Sequence, residues 1–155
     1  MAIERYRVRG RRYSLISFLY GNDIYVSKWV AEKIGNPSFG VCSTIGILKG
    51  PLLIAGIVYS NYIVSPAGMP IMCEVSCAAV DKSWANRHTL KRLFNYPFTE
   101  LAVGRLQVTI PTESKKVIKF NEKLGFQHEG IARKAHFLGG DVVIMSMLRD
   151  ECRWL

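Results

Sequence analysis

The sequence predicts a mixed α/β (α+β) fold, a central sheet flanked by about three helices. Three observations predict it. Two apolar runs separated by "KGP" read as an antiparallel hairpin. In the second half, helix-like and strand-like segments alternate, and a strand–helix–strand order requires at least one crossover. The chain has 155 residues, 49% of them hydrophobic, which suits one domain over residues 1–155 with a real core.

The elements follow in order. "IERYRVR" over residues 3–9 alternates like a strand and carries Arg5, Arg7 and Arg9, the strongest local basic cluster. "NDIYVSKWVAEKIG" reads as a first helix. Asn22 or Asp23 is its expected cap, Val26, Trp29, Val30 and Ile34 its stripe, and Gly35 its C′ residue. "FGVCSTIGIL", "KGP" and "LLIAGIVYSNYIV" form the hairpin, and "PIMCEVSCAAV" is a further strand. "WANRHTLKRLFNYPFTEL" is the clearest helix. Leu90, Leu93, Phe94, Pro97, Phe98 and Leu101 line one face, and Pro97, with no N–H to give the Leu93 carbonyl, bends it.

"RLQVTIPT" is the next strand. Thr112 is positioned to cap a helix over 113–124 with Glu113 in its first turn. Gly125 then turns the chain at low steric cost, and Phe126 enters the core as a strand begins. "FQHEGIARKAHFL", "GGD" and "VVIMSML" form a closing hairpin. The expected order is β-α-β-β-β-α-β-α-β-β.

Charge and cysteines narrow the function classes. Against 12 Asp and Glu stand 21 Lys and Arg, a net charge of +9, which favours an anionic partner such as nucleic acid, a ribosome or a phosphorylated cofactor. Cys73 and Cys77, four apart in a strand, lie roughly 13 Å from each other, too far for a disulfide. Cys42, Cys152 and the scattered His88, His128 and His136 form no paired ligand spacing, so no metal site is expected. Reduced thiols fit a cytoplasm. The longest apolar stretch, "PLLIAGIVY", is about half of the ~20 residues a membrane-spanning helix needs. The basic-then-apolar start imitates a leader but has no small-residue cleavage site, so no targeting signal is expected.

The stretch "NEKLGFQHEGIARKAHFLGGDVVIMSMLRDECRW" resembles the GNAT superfamily of acyl-CoA-dependent N-acetyltransferases, and most of all the branch that acetylates ribosomal-protein N-termini. "EKLGF", "EG", Asp141 and "LRDE" come in that branch's order, and "LKRLFNYPFTELAVGRLQVTIP" is similar to its preceding segment. The resemblance covers about residues 72–154. It implies a mostly antiparallel sheet with a splayed parallel pair, "CEVSCAAV" and "LQVTIP". It also implies acetyl-CoA as cofactor, its pantetheine arm bonded by strand amides and its pyrophosphate on a helix N-terminus. An acceptor amine attacks the thioester directly.

By that resemblance the cofactor-binding residues are Cys77, Ala78, Ala79, Val80, Lys82, Trp84, Ala85, Asn86, Arg87, Ser114 and Asn121. The family's phosphate loop reads Arg/Gln-x-x-Gly-x-Gly/Ala. Here Asp81 stands at the basic position, Trp84 at the first glycine and Asn86 at the second small residue. Lys82, Arg87 and His88 are placed to supply side-chain contacts instead. Asn121 stands where many members carry the tyrosine that protonates the departing thiolate. Glu74, a lone carboxylate in an apolar strand, is the candidate general base. Tyr59, Asn61, His136 and Asp141 are candidate substrate contacts.

The expected activity is N-acetylation of a protein or small-molecule amine in a bacterial or phage-infected cytoplasm. A homodimer is compatible with the branch. Two alternatives stay open. One is a phage Mom-type DNA-modification enzyme, which the altered loop and positive charge bring to mind. The other is a non-catalytic GNAT-like binder of nucleic acid or protein.

Overall fold

Valines four residues apart share a helix face, and the segment after Asn22 buries both Val26 and Val30 completely. The computed structural model describes residues 3–6 and 16–155, with side chains from residue 16 onward. Arg7 and Arg9 of the arginine row lie outside the described residues. The chain divides into two compact units, Met1–Asn61 with Ser76–Leu93, and Tyr62–Val75 with Phe94–Leu155. Among the described residues there are eight strands and three α-helices, and the strand pairing is mostly antiparallel with one parallel pair.

In the first unit, β1 (Ile3–Tyr6), β2 (Ile16–Leu19), β3 (Cys42–Lys49) and β4 (Leu52–Val64, as far as Asn61) pair antiparallel in that order. β2 is a strand the sequence reading had not separated from the leader-like start. All four of its residues, the polar Ser17 included, are buried, so both faces are covered and no solvent-facing polar row marks the strand. Lys49, Gly50 and Pro51 make the expected turn, with Gly50 at φ 60.

Helix α1 (Asp23–Ile34) ends at Gly35 in the left-handed region, as its sequence predicts. Its start differs from the expectation. Asn22 holds the cap position without a side-chain cap bond. Asp23 instead reaches β3, where its carboxylate accepts from the Thr44 N–H at 2.8 Å and the Thr44 hydroxyl at 2.9 Å. Val26 and Val30 pack with Leu19, Val58 and Ala78, flanked by Trp29. Ile34, the last residue of the expected stripe, is 37% exposed, and Ala31 is buried in the stripe instead.

The second unit holds the start of β5 (Pro70–Ala79), β6 (Arg105–Pro111), β8 (Val142–Leu148) and β7 (Gln127–Ala132), in that spatial order. β5 and β6 are parallel, with Met72, Cys73 and Glu74 opposite Arg105, Leu106 and Gln107. β6 and β7 each pair antiparallel with β8, and β7 carries a bulge between His128 and Gly130. Leu106, Met145 and Met147 point to a core face with no exposure, while Arg105 and Gln107, one residue out of phase, point to the other.

Helix α2 (Arg87–Asn95) stops short of the 84–101 span the sequence predicts. Tyr96–Glu100 form a π-turn, closed by the Leu101 N–H on the Tyr96 carbonyl at 3.0 Å. This is the physical outcome of Pro97: one missing N–H re-phases the turn instead of only bending it. Helix α3 (Lys115–Leu124) begins later than expected, with Ser114 and not Thr112 at the cap position. The Thr112 N–H is engaged by the Asp141 carbonyl, and the Ser114 N–H closes a turn on the Pro111 carbonyl. Gly125, at φ 113, ends α3 as predicted. Among the described residues no helix is long and apolar enough to cross a membrane.

Candidate active site

Glu74 sits on β5 directly opposite Gln107 of β6. The Gln107 amide donates to Glu74 Oε1 at 3.0 Å. Gln107 Oε1 in turn accepts from Arg105 Nη2 at 3.0 Å. Arg105 grips Glu129 with both terminal nitrogens, at 2.7 and 2.5 Å, and the buried Ser146 hydroxyl donates to Glu129 at 2.6 Å. Arg105 and Ser146 hold the Glu129 carboxyl down at about 2, and the same carboxylate raises the Arg105 guanidinium above its ordinary value. The chain of bonds crosses β5, β6, β8 and β7 on one face of the sheet.

The remaining predicted residues of the second unit lie elsewhere in it. Asn121 is half-buried on α3, its amide donating to the Val117 carbonyl at 3.0 Å. Ser114 is half-buried at the start of α3. His136 and Asp141 belong to the loop before β8. The His136 N–H bonds the Gly140 carbonyl, and Asp141 accepts from the Lys134 N–H at 2.8 Å, so both residues tie the loop together. A cavity of about 400 Å³ lies beside α3, lined by Lys115, Lys119, Glu122, His128 and Ile131 among others. None of the candidate catalytic, cofactor or substrate residues of the sequence analysis lines it.

In the first unit, the end of β5 alternates strictly: Cys77 and Ala79 are exposed, while Ala78 joins the core. The Val80 N–H bonds the Ile54 carbonyl at 2.8 Å and ties the strand end to β4. A single 3₁₀ turn, Lys82–Trp84, follows. Trp84 is 8% exposed and anchors the turn in the core, while Lys82 and Arg87 stand out in solvent. The Asn86 carboxamide oxygen accepts from the Thr89 N–H at 3.0 Å, an N-cap bond that opens α2. Asp81 accepts from the Ser83 N–H and from Lys49 Nζ at 2.7 Å, which together hold its carboxyl well below the ordinary carboxylate range.

Tyr59 corrects the sequence expectation. It is fully buried, and its hydroxyl donates to the Leu93 carbonyl at 2.7 Å, so it serves the core and not a substrate groove. Asn61 is exposed, in the left-handed region at φ 50.

No family model and no curated protein matches the chain. Solved structures do. The chain is similar to a spermidine N-acetyltransferase SpeG mutant from Vibrio cholerae, at 16% identity and TM-score 0.68 over 90% of this chain and 96% of that one. A ribosomal-protein-S5-alanine acetyltransferase from Vibrio fischeri superposes at TM-score 0.66 with 12% identity, over 97% and 99% of the two chains. Mycobacterium smegmatis RimJ, solved with CoA-disulfide, superposes at 0.66 with 10% identity, over 96% and 88%.

The fold is the GNAT fold.

On a GNAT fold the two sequence departures acquire a local explanation. Asp81 stands at a basic position of the family's loop, but Lys49 already neutralises it. Trp84 stands at a glycine position, but its ring is packed inward. Lys82, in the 3₁₀ turn, and Arg87, the first residue of α2, are both exposed. Sequence reasoning missed Lys49, Arg105, Gln107, Glu129 and Ser146. A signal for two of them existed: Arg105 and Gln107 alternate with Leu106 and Val108, which marks one polar sheet face.

Proposed function

We propose that this protein is an acetyl-CoA-dependent N-acetyltransferase that transfers the acetyl group to a protein or small-molecule amine by direct attack. The observation that carries the reading is Glu74: a carboxylate on the parallel strand pair of a GNAT fold, held by the Gln107 amide at 3.0 Å. Bound acetyl-CoA supplies an activated acyl thioester. Lys82 and Arg87 hold its diphosphate, and the backbone of Ser76–Ala79 bonds its amide arm as an added strand would. Glu74 takes the proton from the acceptor ammonium, because only the neutral amine is a nucleophile. Asn121 has no acidic proton to give, so the thiolate departs without help from that position.

A thermal-shift titration with acetyl-CoA followed by an amine panel tests the reading. A melting temperature that climbs with cofactor concentration, and turnover that Glu74→Gln reduces by roughly 10²-fold, are the expected results. An unmoved melting temperature at high acetyl-CoA, with salt-sensitive retention of DNA, favours the nucleic-acid binder that the net charge of +9 suggests.

A further inference from the structure

We infer that Gln107 and Arg105 are positioning residues for Glu74, set in place by Glu129 of β7 and Ser146 of β8. The inference rests on the reading of Glu74 as the group that takes the amine proton. Donor chemistry sets the orientation of the Gln107 amide. An arginine side chain has five donors and no acceptor. The Gln107 carboxamide faces Arg105 on one side, at 3.0 Å, and Glu74 on the other, at 3.0 Å. Only its oxygen can face the guanidinium, so only its NH₂ group can face the carboxylate. The flipped amide would set N–H against N–H and oxygen against carboxylate oxygen. Arg105 therefore dictates the direction of Gln107, and Gln107 holds one oxygen of the Glu74 carboxylate.

Arg105 is itself held. Its two-pronged contact with Glu129 fixes the guanidinium plane, a geometry a lysine lacks. Glu129 lies at the bulge of β7, where the register slips between His128 and Gly130, and this slip turns its side chain across β8. Ser146 is the β8 residue opposite Gln107, small enough to be spanned and buried with its hydroxyl on Glu129. From Ser146 to Glu74 every one of these hydrogen bonds runs from a donor to an acceptor, with no mismatch. A base must be held within hydrogen-bond reach, about 2.6–3.2 Å, of the atom whose proton it takes, and this network supplies that fixity across four strands.

The test uses the full chain and two variants, Gln107→Met, which keeps length and loses the donor, and Gln107→Glu, which keeps the Arg105 contact and turns the donor into an acceptor. Each is assayed with the alkylamine the wild type turns over fastest and with hydroxylamine, an amine largely neutral at the assay pH. Expected for both variants is a kcat about tenfold lower with the alkylamine, a KM for acetyl-CoA within about twofold, and hydroxylamine rates near wild type, because a neutral amine skips the deprotonation that precedes attack and sheds its remaining proton after attack to the departing thiolate or water. Equal losses with both amines, or no loss with either, overturn the positioning role. A second readout is independent of turnover. The side-chain amide NMR signal of Gln107, identified by its disappearance in Gln107→Met, moves in Glu74→Gln; an unmoved signal overturns the positioning role alone. A wild type that neither binds acetyl-CoA nor acetylates any amine overturns the transferase reading, and the positioning role falls with it.

Discussion

The hydroxyl of Tyr59 lies 2.7 Å from the carbonyl oxygen of Leu93. That carbonyl belongs to the turn where Pro97 brings no N–H, so a side chain from β4 supplies the donor the backbone lacks. Both residues are buried, Tyr59 completely. Tyr59→Phe removes the donor and leaves a buried carbonyl short of a bond, at about 1–3 kcal/mol. Denaturant titration is expected to show a lower midpoint at unchanged slope. An unchanged midpoint would show that the carbonyl finds another donor.

Pro97 was legible from the sequence and Tyr59 was not, for one reason. A proline states its own backbone consequence, whereas its remedy arrives from a strand distant in sequence. The same divide runs through the rest. Gly35 and Gly125 announce the helix ends because the positive φ is local. β2 was hidden because it is four residues long and buried on both faces, so no polar row marks it. Asp23 looked like a cap because nothing near it in sequence reveals Thr44. Glu74 stood out as one carboxylate in an apolar strand, yet Gln107, Arg105 and Glu129 sit on two other strands, and only the sheet register brings them to it.

Gly56 of β4 lies close against α1. A Cβ built there would lie 2.5 Å from Val30 Cγ2 and 3.1 Å from Val26 Cγ1, both on fully buried side chains. Gly56→Ala is expected to overpack this core and cost about 1–3 kcal/mol, despite alanine's smaller backbone entropy loss. The melting temperature reports it. A rise would mean that α1 moves away freely. Gly140→Ala is the control, since its added methyl meets nothing within 4 Å.

Lys49 is expected to matter for cofactor affinity without touching cofactor. Its ammonium pairs with Asp81 at 2.7 Å, and both side chains are 33% exposed. Lys49→Ala leaves an unpaired carboxylate next to Lys82 in the loop assigned to the diphosphate. Calorimetry is expected to show acetyl-CoA binding about two- to fivefold weaker, the scale of one exposed charge pair, and less so in high salt. Adding Asp81→Asn is expected to restore the affinity. Failure of the double variant to recover would mean that Lys49 acts on the loop's shape and not its charge.

Glu129 gives the stability a defined acid limb. Its carboxyl is held at about 2 in the folded chain, first by the Arg105 hydrogen bonds and then by Ser146, against an ordinary value of 4.5. A carboxyl depressed by folding releases its proton more readily folded than unfolded. Its contribution is therefore complete above about pH 4.5 and disappears as the pH falls toward about 2. The side chain is 41% exposed, so solvent screens the pair, and the contribution is on the order of 1 kcal/mol or less. Other carboxylates titrate in the same window, which makes the difference between wild type and Glu129→Gln the quantity to measure. Denaturant midpoints near pH 3 and near pH 6 are expected to differ more between the two proteins at the higher pH, and strong salt is expected to narrow the gap. A gap independent of pH would mean that the ionised form of Glu129 is no more favoured in the folded chain than in the unfolded one, and that its charge adds nothing to stability.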